Sequence, residues 1–367
     1  MSRLAAIAIK ELTQLRRDRM TVAMMVVFPV VQLLVFGYAI DTDVRHVPTV
    51  VFDQDGGAAP RDVARSLEAT GFYDVVGHVR SYAEISDALR RGVARVALVF
   101  PPGFSAASGA GRERSFQLVV DGSDPQIVAS ATGGATGLVA ARNQRATAQR
   151  GAAAPLKVEI TNWYNPEQRT AVFVVPGIIG VILTMTMVML TAMAIARERE
   201  RGTLEALIVS PVRSFELMVG KIVPYVGIGY VQITLVLIVG HVVFDVPFVG
   251  SVALLYLMTL VFMAANLALG LVFSTLAKTQ QQAMQMSFFF LLPNILLSGF
   301  AFPWEGMPRP AQLLSEVLPL THFLRIVRGI VLKGAGFEDL QPHLTAMGVI
   351  LVAFVALATL RFHKRLD

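Results

Sequence analysis

The feature that most constrains this chain is a run of 26 residues without a single charge, Ala171–Ala196. A helix needs about 20 consecutive, mostly apolar residues to cross the hydrocarbon core of a bilayer, so this run is long enough. The composition agrees, because 54% of the 367 residues are hydrophobic and only 16% are charged, against about 25% charged in soluble domains. The sequence therefore predicts a membrane protein.

Six apolar segments qualify as membrane spans, the last of them at the short end of the accepted range. None contains an Arg or Lys, each of which would cost about 2.5–3.5 kcal/mol at the centre of a span. The first is longer than the apolar part of a signal peptide and lacks a cleavage site, so we interpret it as a retained span. The predicted spans are residues 20–40, 171–196, 222–244, 252–277, 283–302 and 344–360.

The distribution of Lys and Arg predicts the orientation of these spans. Both residue types collect before the first span, after the second and in the tail 361–367, whereas the loop Asp245–Ser251 has neither. Positive charge stays on the cytoplasmic side of a membrane. Both termini and residues 197–221 are therefore predicted to be cytoplasmic, and residues 41–170 and 303–343 extracytoplasmic.

The two cytoplasmic ends add little to the functional prediction. Residues 1–19 are amphipathic and predict an interfacial helix on the membrane surface, with a helical extension of the first span as the alternative. The net charge of +6 follows from the positive flanks of the spans. Because no motif for reading DNA or RNA is present, no nucleic-acid partner is expected.

Residues 41–170 are long enough for a domain and alternate between strand and helix patterns. Five strand patterns and three helix patterns predict a two-layer α/β domain inserted between the first two spans. Asp53, Asp55 and Asp121 follow strands, where they form either a carboxylate site or turns. The chain has no cysteine and no nucleophile, metal or dinucleotide motif. We therefore expect no enzyme activity, no metal and no cofactor in this chain.

The charged segment 197–221 contains a Gly-Lys pair that invites a nucleotide-binding interpretation. A P-loop requires G-x-x-x-x-G-K-[ST]. Here Phe215 stands at the first glycine position, and Ile222 follows Lys221. The motif fails at both ends, so this chain is not expected to hydrolyse ATP.

Several polar and turn residues in the spans and in the last outer segment are candidates for a transport pathway. Asn residues inside spans either join helices by hydrogen bonds or contact substrate. Segment 303–343 predicts short re-entrant helices, with an ordinary extracytoplasmic helical hairpin as the alternative. No span interior carries an Asp, Glu, Lys or Arg of the kind that proton-driven transporters use, which favours an external energy source and hydrophobic or amphipathic cargo. The candidates are Asn266, Asn294, Gly299, Pro303, Pro319, Arg325 and Arg328.

Two stretches carry a resemblance to a known family. "ERERGTLEALIVSPVRSFELMVGKIVPY", from Glu198 to Tyr225, resembles the signature of ABC-2 type transporter permeases. "LLPNILLSGFAFPWEGMPRPAQLLSEVLPLTHFLRIVRGIVLKGAG", from Leu291 to Gly336, resembles that family's last outer segment in its S-G-F-x-F-P, M-P, L-P-L-T and R-G elements. The stretches "VVFDQDGG", "ALVFPPGFS" and "LVVDGSDP" resemble the large outer domain of the multidrug-efflux branch.

This resemblance implies a fold and a function. The fold is an α-helical polytopic membrane protein of six spans, with both termini inside and an inserted extracytoplasmic α/β domain. The function is export of drug-like or lipid-like molecules across the bacterial inner membrane, as a permease subunit paired with a copy of itself or a paralogue. The alternative is a membrane scaffold or sensor that transmits ATPase-driven motion to an extracytoplasmic partner.

The resemblance also implies partners and coupling residues. A separate cytoplasmic ABC ATPase subunit binds ATP and Mg, membrane lipid surrounds the spans, and a periplasmic adaptor is a further partner that the family allows. The segment 197–221 is then the coupling-helix region that contacts the ATPase. The residues that match the coupling signature are Glu198, Arg201, Gly202, Thr203, Glu205, Pro211, Gly220, Lys221 and Pro224.

Overall fold

A computed structural model of the protein describes residues 44–109, 112–150, 155–200, 202 and 214–361. Within these ranges an α/β domain leads into a set of long helices. The predicted interfacial helix 1–19, the predicted first span 20–40, residues 201 and 203–213 of the predicted coupling segment and the tail from residue 362 lie outside the described residues.

The α/β domain contains the five strands that the alternating pattern predicts. The strands pair in the order β2-β1-β3-β4-β5, and all neighbours are parallel except β3 and β4. The strands are β1 (Val47–Asp53), β2 (Tyr73–His78), β3 (Val96–Phe100), β4 (Arg114–Asp121) and β5 (Leu156–Trp163). The helices are α1 (Ala58–Glu68), α2 (Tyr82–Arg91), α3 (Phe104–Gly109) and α4 (Pro125–Arg150).

Helices cover both faces of this sheet. Val51 and Leu98 pack with residues of α1 and α4 on one face, whereas Val50 and Val99 pack with α2 on the other. The predicted two-layer arrangement is therefore wrong. The physical reason is that an alternating pattern shows which strand positions are buried, but not which face each helix covers.

The remaining chain forms seven α-helices in the described residues. They are α5 (Thr170–Glu200), α6 (Ser214–Phe244), α7 (Val252–Leu276), α8 (Gln280–Leu297), α9 (Arg309–Ser315), α10 (Pro319–Lys333) and α11 (Phe337–Arg361). Four segments are long and apolar enough to cross a membrane, namely Thr170–Glu200, Pro224–Phe244, Val252–Leu276 and Phe337–Arg361. The protein is therefore a multi-pass membrane protein.

The predicted span 283–302 corresponds to α8, which is not among these four segments. The helix has 18 residues, begins with three glutamines and contains Pro293 and Asn294. These residues lower its apolar character, and Gly299, with a φ of +86°, follows the helix end. The described residues thus support four spans, and the six-span count is not confirmed.

Helix α10 lies at the centre of the helical part. Thirteen of its 15 residues are buried, and it packs against α5, α7 and α11. Phe323 of α10 stacks on Phe262 of α7, with ring centroids 4.0 Å apart and an interplanar angle of 7°. A segment that sequence places outside the membrane is therefore enclosed by protein, which is the surrounding that the re-entrant hypothesis requires.

We predict that Gly270 sets the approach of α7 to α5. A Cβ atom at Gly270 would lie 2.8 Å from the backbone oxygen of Val188 and 2.8 Å from Cβ of Thr191. Because a backbone atom cannot move aside locally, Gly270→Ala should lower the free energy of unfolding by about 1–3 kcal/mol. The thermal unfolding midpoint of the detergent-solubilised protein measures this.

The matched control is Gly227→Ala on the exposed side of α6, where a Cβ meets no atom within 4 Å. Alanine is the better helix former, so the midpoint of this variant should stay level or rise. Equal midpoints for the two variants would contradict close packing at Gly270.

Candidate functional site

The C-terminal end of α5, which is predicted to be cytoplasmic, is tied to the turn between α7 and α8. Arg199 donates from Nη1 to the carbonyl oxygens of Ser274 and Ala277, at 3.2 and 2.8 Å. The last carbonyls of a helix lack partners within the helix and attract cations. The side chain of Arg199 therefore caps the C-terminal end of α7.

Gln280, the first residue of α8, completes this connection. Arg197 donates from Nε to Oε1 of Gln280 at 3.0 Å, and Nε2 of Gln280 donates to Oε2 of Glu200 at 2.9 Å. We call Arg197, Arg199, Glu200 and Gln280 the inner clamp. It links three helices at the point where the charged segment 197–221 begins.

The structure places some of the predicted coupling residues. Glu198 lies in the last turn of α5, and Gly202 follows with a φ of +69°. Gly220, Lys221 and Pro224 lie inside the continuous helix α6. Other predicted coupling residues are outside the described residues, namely Arg201, Thr203, Glu205 and Pro211.

At the opposite end, buried charges join the α/β domain to the outer helices. Lys333, at the end of α10, forms an ion pair with Asp121, at the end of β4. Arg95 bridges Oδ2 of Asp121 and Oε1 of Glu305, each at 2.9 Å. We call these four residues, Arg95, Asp121, Glu305 and Lys333, the outer ion cluster.

The outer ion cluster is shielded from water and satisfied internally. The side chains of Asp121 and Lys333 are 0% and 4% exposed. Nζ of Lys333 also donates to the carbonyl oxygen of Leu89 at 3.1 Å. Removing one partner of a buried pair leaves an uncompensated charge and typically costs about 3–5 kcal/mol. The cluster therefore holds the α/β domain and α10 in one arrangement.

The electrostatics of the cluster favour its charged form. Burial alone would raise the pKa of the Asp121 carboxyl, but Lys333 and Arg95 outweigh burial and hold this pKa at about 2. Burial also opposes the charge of Glu305, yet the net effect, chiefly from Arg95, is a pKa below its usual value. Both carboxylates are thus ionised at neutral pH.

A second contact joins the same parts of the protein. Asp339, in the first turn of α11, accepts from Nη1 of Arg90 at 2.9 Å and from Nε of Arg91 at 3.2 Å. Both arginines lie at the end of α2. The α/β domain is therefore held at both ends of the short link between α10 and α11.

The strand-end aspartates have different roles. Oδ1 of Asp53 accepts from the backbone N–H groups of Asp55 and Gly56, at 3.0 and 2.9 Å, so Asp53 forms a turn. Asp55 accepts from the Ser105 hydroxyl at 2.5 Å. Asp121 forms both a turn, through the N–H of Ser123 at 3.1 Å, and the ion pairs above. In the part of the chain that the structure describes, no cluster of three acidic or histidine side chains could hold a metal.

The asparagines predicted for a pathway are buried between helices. Asn266 is 1% exposed and donates to the Phe262 carbonyl oxygen of its own helix at 2.9 Å. Asn294 is 2% exposed, and its Oδ1 has no partner among the described residues. No hydrogen bond joins the two side chains among the described residues.

The other pathway candidates shape the outer segment. Pro303 precedes a 3-10 turn at Trp304–Gly306, and Pro319 is the first residue of α10, where its missing N–H costs nothing. The carbonyl oxygen of Gly299 accepts from Nη1 of Arg328 at 3.2 Å. These residues position the outer helices.

Arg325 and Arg328 are held by aromatic rings. Arg325 lies over Trp304, with Cζ 5.0 Å from the ring centroid, and pairs with Glu316 at 3.0 Å. Arg328 lies over Phe173, with Cζ 4.0 Å from the centroid. Of these two arginines, Arg325 has a carboxylate partner, Glu316, in the structure.

A cavity of about 680 Å³ lies beside the outer ion cluster, between the α/β domain and helices α9, α10 and α11. Its lining includes Arg325 and Arg328 from the predicted set. Sequence reasoning missed Arg95, Glu305 and Lys333 as members of this region. The sequence offered a signal for two of them, because Glu305 and Lys333 are charged residues in a largely apolar outer segment, but it offered none for Arg95.

The sequence matches the family model for ABC-2 family transporter proteins over residues 19–360. The chain is 31% identical over 358 residues to "Probable multidrug ABC transporter permease YbhR" of Escherichia coli K12, covering 97% of both chains. It is 28% identical over 370 residues to "Probable multidrug ABC transporter permease YbhS", covering 100% of this chain and 98% of that one. It is 29% identical over 364 residues to "Inner membrane transport permease YhhJ", covering 98% and 96%.

These matches extend over the α/β domain, the outer segment and the spans alike, so they cover both the inner clamp and the outer ion cluster. The chain is therefore a multi-pass membrane protein that belongs to the ABC-2 transporter family, with relatives named as multidrug ABC transporter permeases.

Proposed function

We propose that this chain is the permease subunit of an ATP-driven exporter in a bacterial inner membrane. It moves hydrophobic or amphipathic molecules, drug-like or lipid-like, out of the cytoplasm or the inner leaflet. ATP and Mg bind to a separate cytoplasmic ATPase subunit. The names of YbhR and YhhJ support the transport and membrane parts of this proposal.

The observation that carries the proposal is the inner clamp. Force applied to segment 197–221 acts directly on the end of α5, since Glu200 is its last residue. Arg199 passes this force to the end of α7, and Gln280 passes it to the start of α8. One ATPase contact on that segment can therefore move three helices together.

Helix α5 carries the motion towards the outer side. Its Gly180 faces Leu320 and Phe323 of α10, and its Gly177 faces Phe300. Because packed interiors have little free volume, a shift of α5 at these close glycine contacts moves the side chains packed against it. Since α10 ends at Lys333 in the outer ion cluster, a movement of α5 reaches the α/β domain.

The alternative is a scaffold or sensor that passes ATPase-driven motion to an extracytoplasmic partner. The outer ion cluster supports it, because the same connection would move the α/β domain relative to a bound protein. The two functions differ in whether cargo crosses the membrane. Uptake of candidate cargo into inverted vesicles that contain the permease and its ATPase distinguishes the two functions. ATP-dependent uptake would support export, and the absence of any ATP-dependent uptake would favour the scaffold.

We predict that Arg199→Ala separates ATP hydrolysis from transport. The variant loses the hydrogen bonds to α7 but keeps the cytoplasmic segment, so ATPase association should persist while vesicle transport falls about tenfold, the size expected for lost charge-assisted hydrogen bonds. Glu205→Lys should instead reduce association, because charges at the rim of an interface set partner choice. Co-purification of the ATPase and vesicle transport are measured together.

Arg80→Ala, at an exposed arginine of the outer domain, is the matched control and should change neither quantity. If Arg199→Ala and Glu205→Lys both leave transport and association at the control level, segment 197–221 does not couple the ATPase to transport.

We also predict that two permease chains pair, because the spans of one chain can enclose only half of a transport pathway. The exposed faces of α6 and α11 offer apolar surface for lipid or a second subunit, including Leu235, Val242, Val349 and Val352 at 55%, 71%, 70% and 68% exposure. Native mass spectrometry of the permease–ATPase complex should give two permease chains. A complex with one permease chain and full transport activity would contradict pairing.

A further inference from the structure

The walls of the cavity beside the outer ion cluster are rich in cations. Seven Arg and Lys side chains line it, against four carboxyl groups. Five of these cations are paired, namely Arg90 and Arg91 with Asp339, Arg95 with Glu305 and Asp121, Lys333 with Asp121, and Arg325 with Glu316. Arg309 has no carboxylate partner among the described residues and donates to Gln312 instead.

Two of these cations are arranged around one tryptophan. Arg325 lies over the Trp304 ring, with Cζ 5.0 Å from its centroid. Gln312 donates from Nε2 to the Trp304 carbonyl oxygen at 3.1 Å, and its Oε1 accepts from Nη1 of Arg309 at 3.2 Å. Arg309, Gln312, Trp304 and Arg325 all line the cavity and form one connected wall.

This wall has unused hydrogen-bond donors. Among the described residues Arg309 pairs with the amide of Gln312 and with no carboxylate. The indole N–H of Trp304 is buried without an acceptor within the described ranges. Arg325 uses Nη2 for Glu316, and a guanidinium has five donors in a planar fork. Such forks suit the oxygens of phosphate and carboxylate groups.

Apolar surface borders the same wall. Leu313 and Leu314 of α9 are 67% and 60% exposed, and Val317 in the following turn is 58% exposed. Helix α9 thus presents Arg309 and Gln312 to the cavity and leucines to the outside, so it forms a rim between the two surfaces. A ligand that contacts both has an anionic head inside the cavity and an apolar chain that leaves it over this rim.

We propose that this cavity binds the anionic head group of an amphipathic molecule, a phosphate or carboxylate on an apolar chain, held by Arg309 and Arg325 on either side of Trp304. The inference rests on the proposed export function and deepens it by naming the class of cargo. The same head-group chemistry occurs in membrane lipids and in free amphiphiles, and the test below separates the two sources.

The test uses Trp304 as its own reporter. The chain has two tryptophans, so Trp163→Phe leaves Trp304 as the single emitter. The full-length protein is placed in phosphatidylcholine nanodiscs and titrated with decyl phosphate below its micelle concentration. We expect a saturable change in Trp304 emission, with Arg309→Gln and Arg325→Gln each weakening binding about tenfold, as for a lost charge-assisted hydrogen bond.

Three comparisons make the test decisive. Arg80→Gln, at an exposed arginine outside the cavity, should bind like the parent protein. Arg309→Lys keeps the positive charge at an exposed position and should retain most of the binding, which separates lost charge from misfolding. Decyl glucoside, which has no charge, and inorganic phosphate, which has no chain, should each bind at least about tenfold more weakly than decyl phosphate.

Unchanged affinity in Arg309→Gln would overturn the proposal, as would equal binding of decyl glucoside or of inorganic phosphate. Replacing part of the phosphatidylcholine with phosphatidylglycerol identifies the source: competition with decyl phosphate supports a lipid head group, and its absence supports a free amphiphile. Binding needs no ATPase, so its failure is distinct from a failure of export. Normal binding without any ATP-dependent transport would count against the export function alone.

Discussion

The arrangement of this protein depends on a buried ion pair between residues 212 positions apart, Asp121 and Lys333. Two charges removed from water are tolerated only when each satisfies the other and the remaining polar atoms find partners. Arg95, Glu305 and the Leu89 carbonyl oxygen provide those partners. These contacts hold the α/β domain on the outer helices, and the cavity beside the cluster is lined by residues of both parts.

The inner clamp and the outer ion cluster are the two ends of one connected structure. Arg199 joins α5 to the end of α7 on one side, and Gly180 of α5 contacts α10 further along. Helix α10 is enclosed on nearly all sides, so it cannot shift without moving its neighbours. Under the proposed function, this continuity is the route by which an ATPase bound to segment 197–221 would alter the cavity at the other end of the helices.

The sequence predicted the local structure well and the long-range contacts poorly. The five strands follow from alternating apolar positions, and Ser81 caps the start of α2, where its hydroxyl accepts from the Glu84 N–H at 3.2 Å. The faces covered by helices, and the partners of Lys333 and Arg325, depend on chain segments far apart in sequence. The span predicted at 283–302 is not confirmed, since the helix there, α8, begins with three glutamines before residue 283 and ends at Leu297.

The central claim, that Asp121 and Lys333 hold the α/β domain on α10, is tested most directly by a double-mutant cycle on thermal unfolding of the full-length protein. Asp121→Asn and Lys333→Met should each lower the free energy of unfolding by about 3–5 kcal/mol, and the double variant should lose clearly less than the two losses combined. The exposed pair Glu113 and Lys157, 2.6 Å apart, should show little coupling in the same cycle. Fully additive losses at Asp121 and Lys333 would contradict the account.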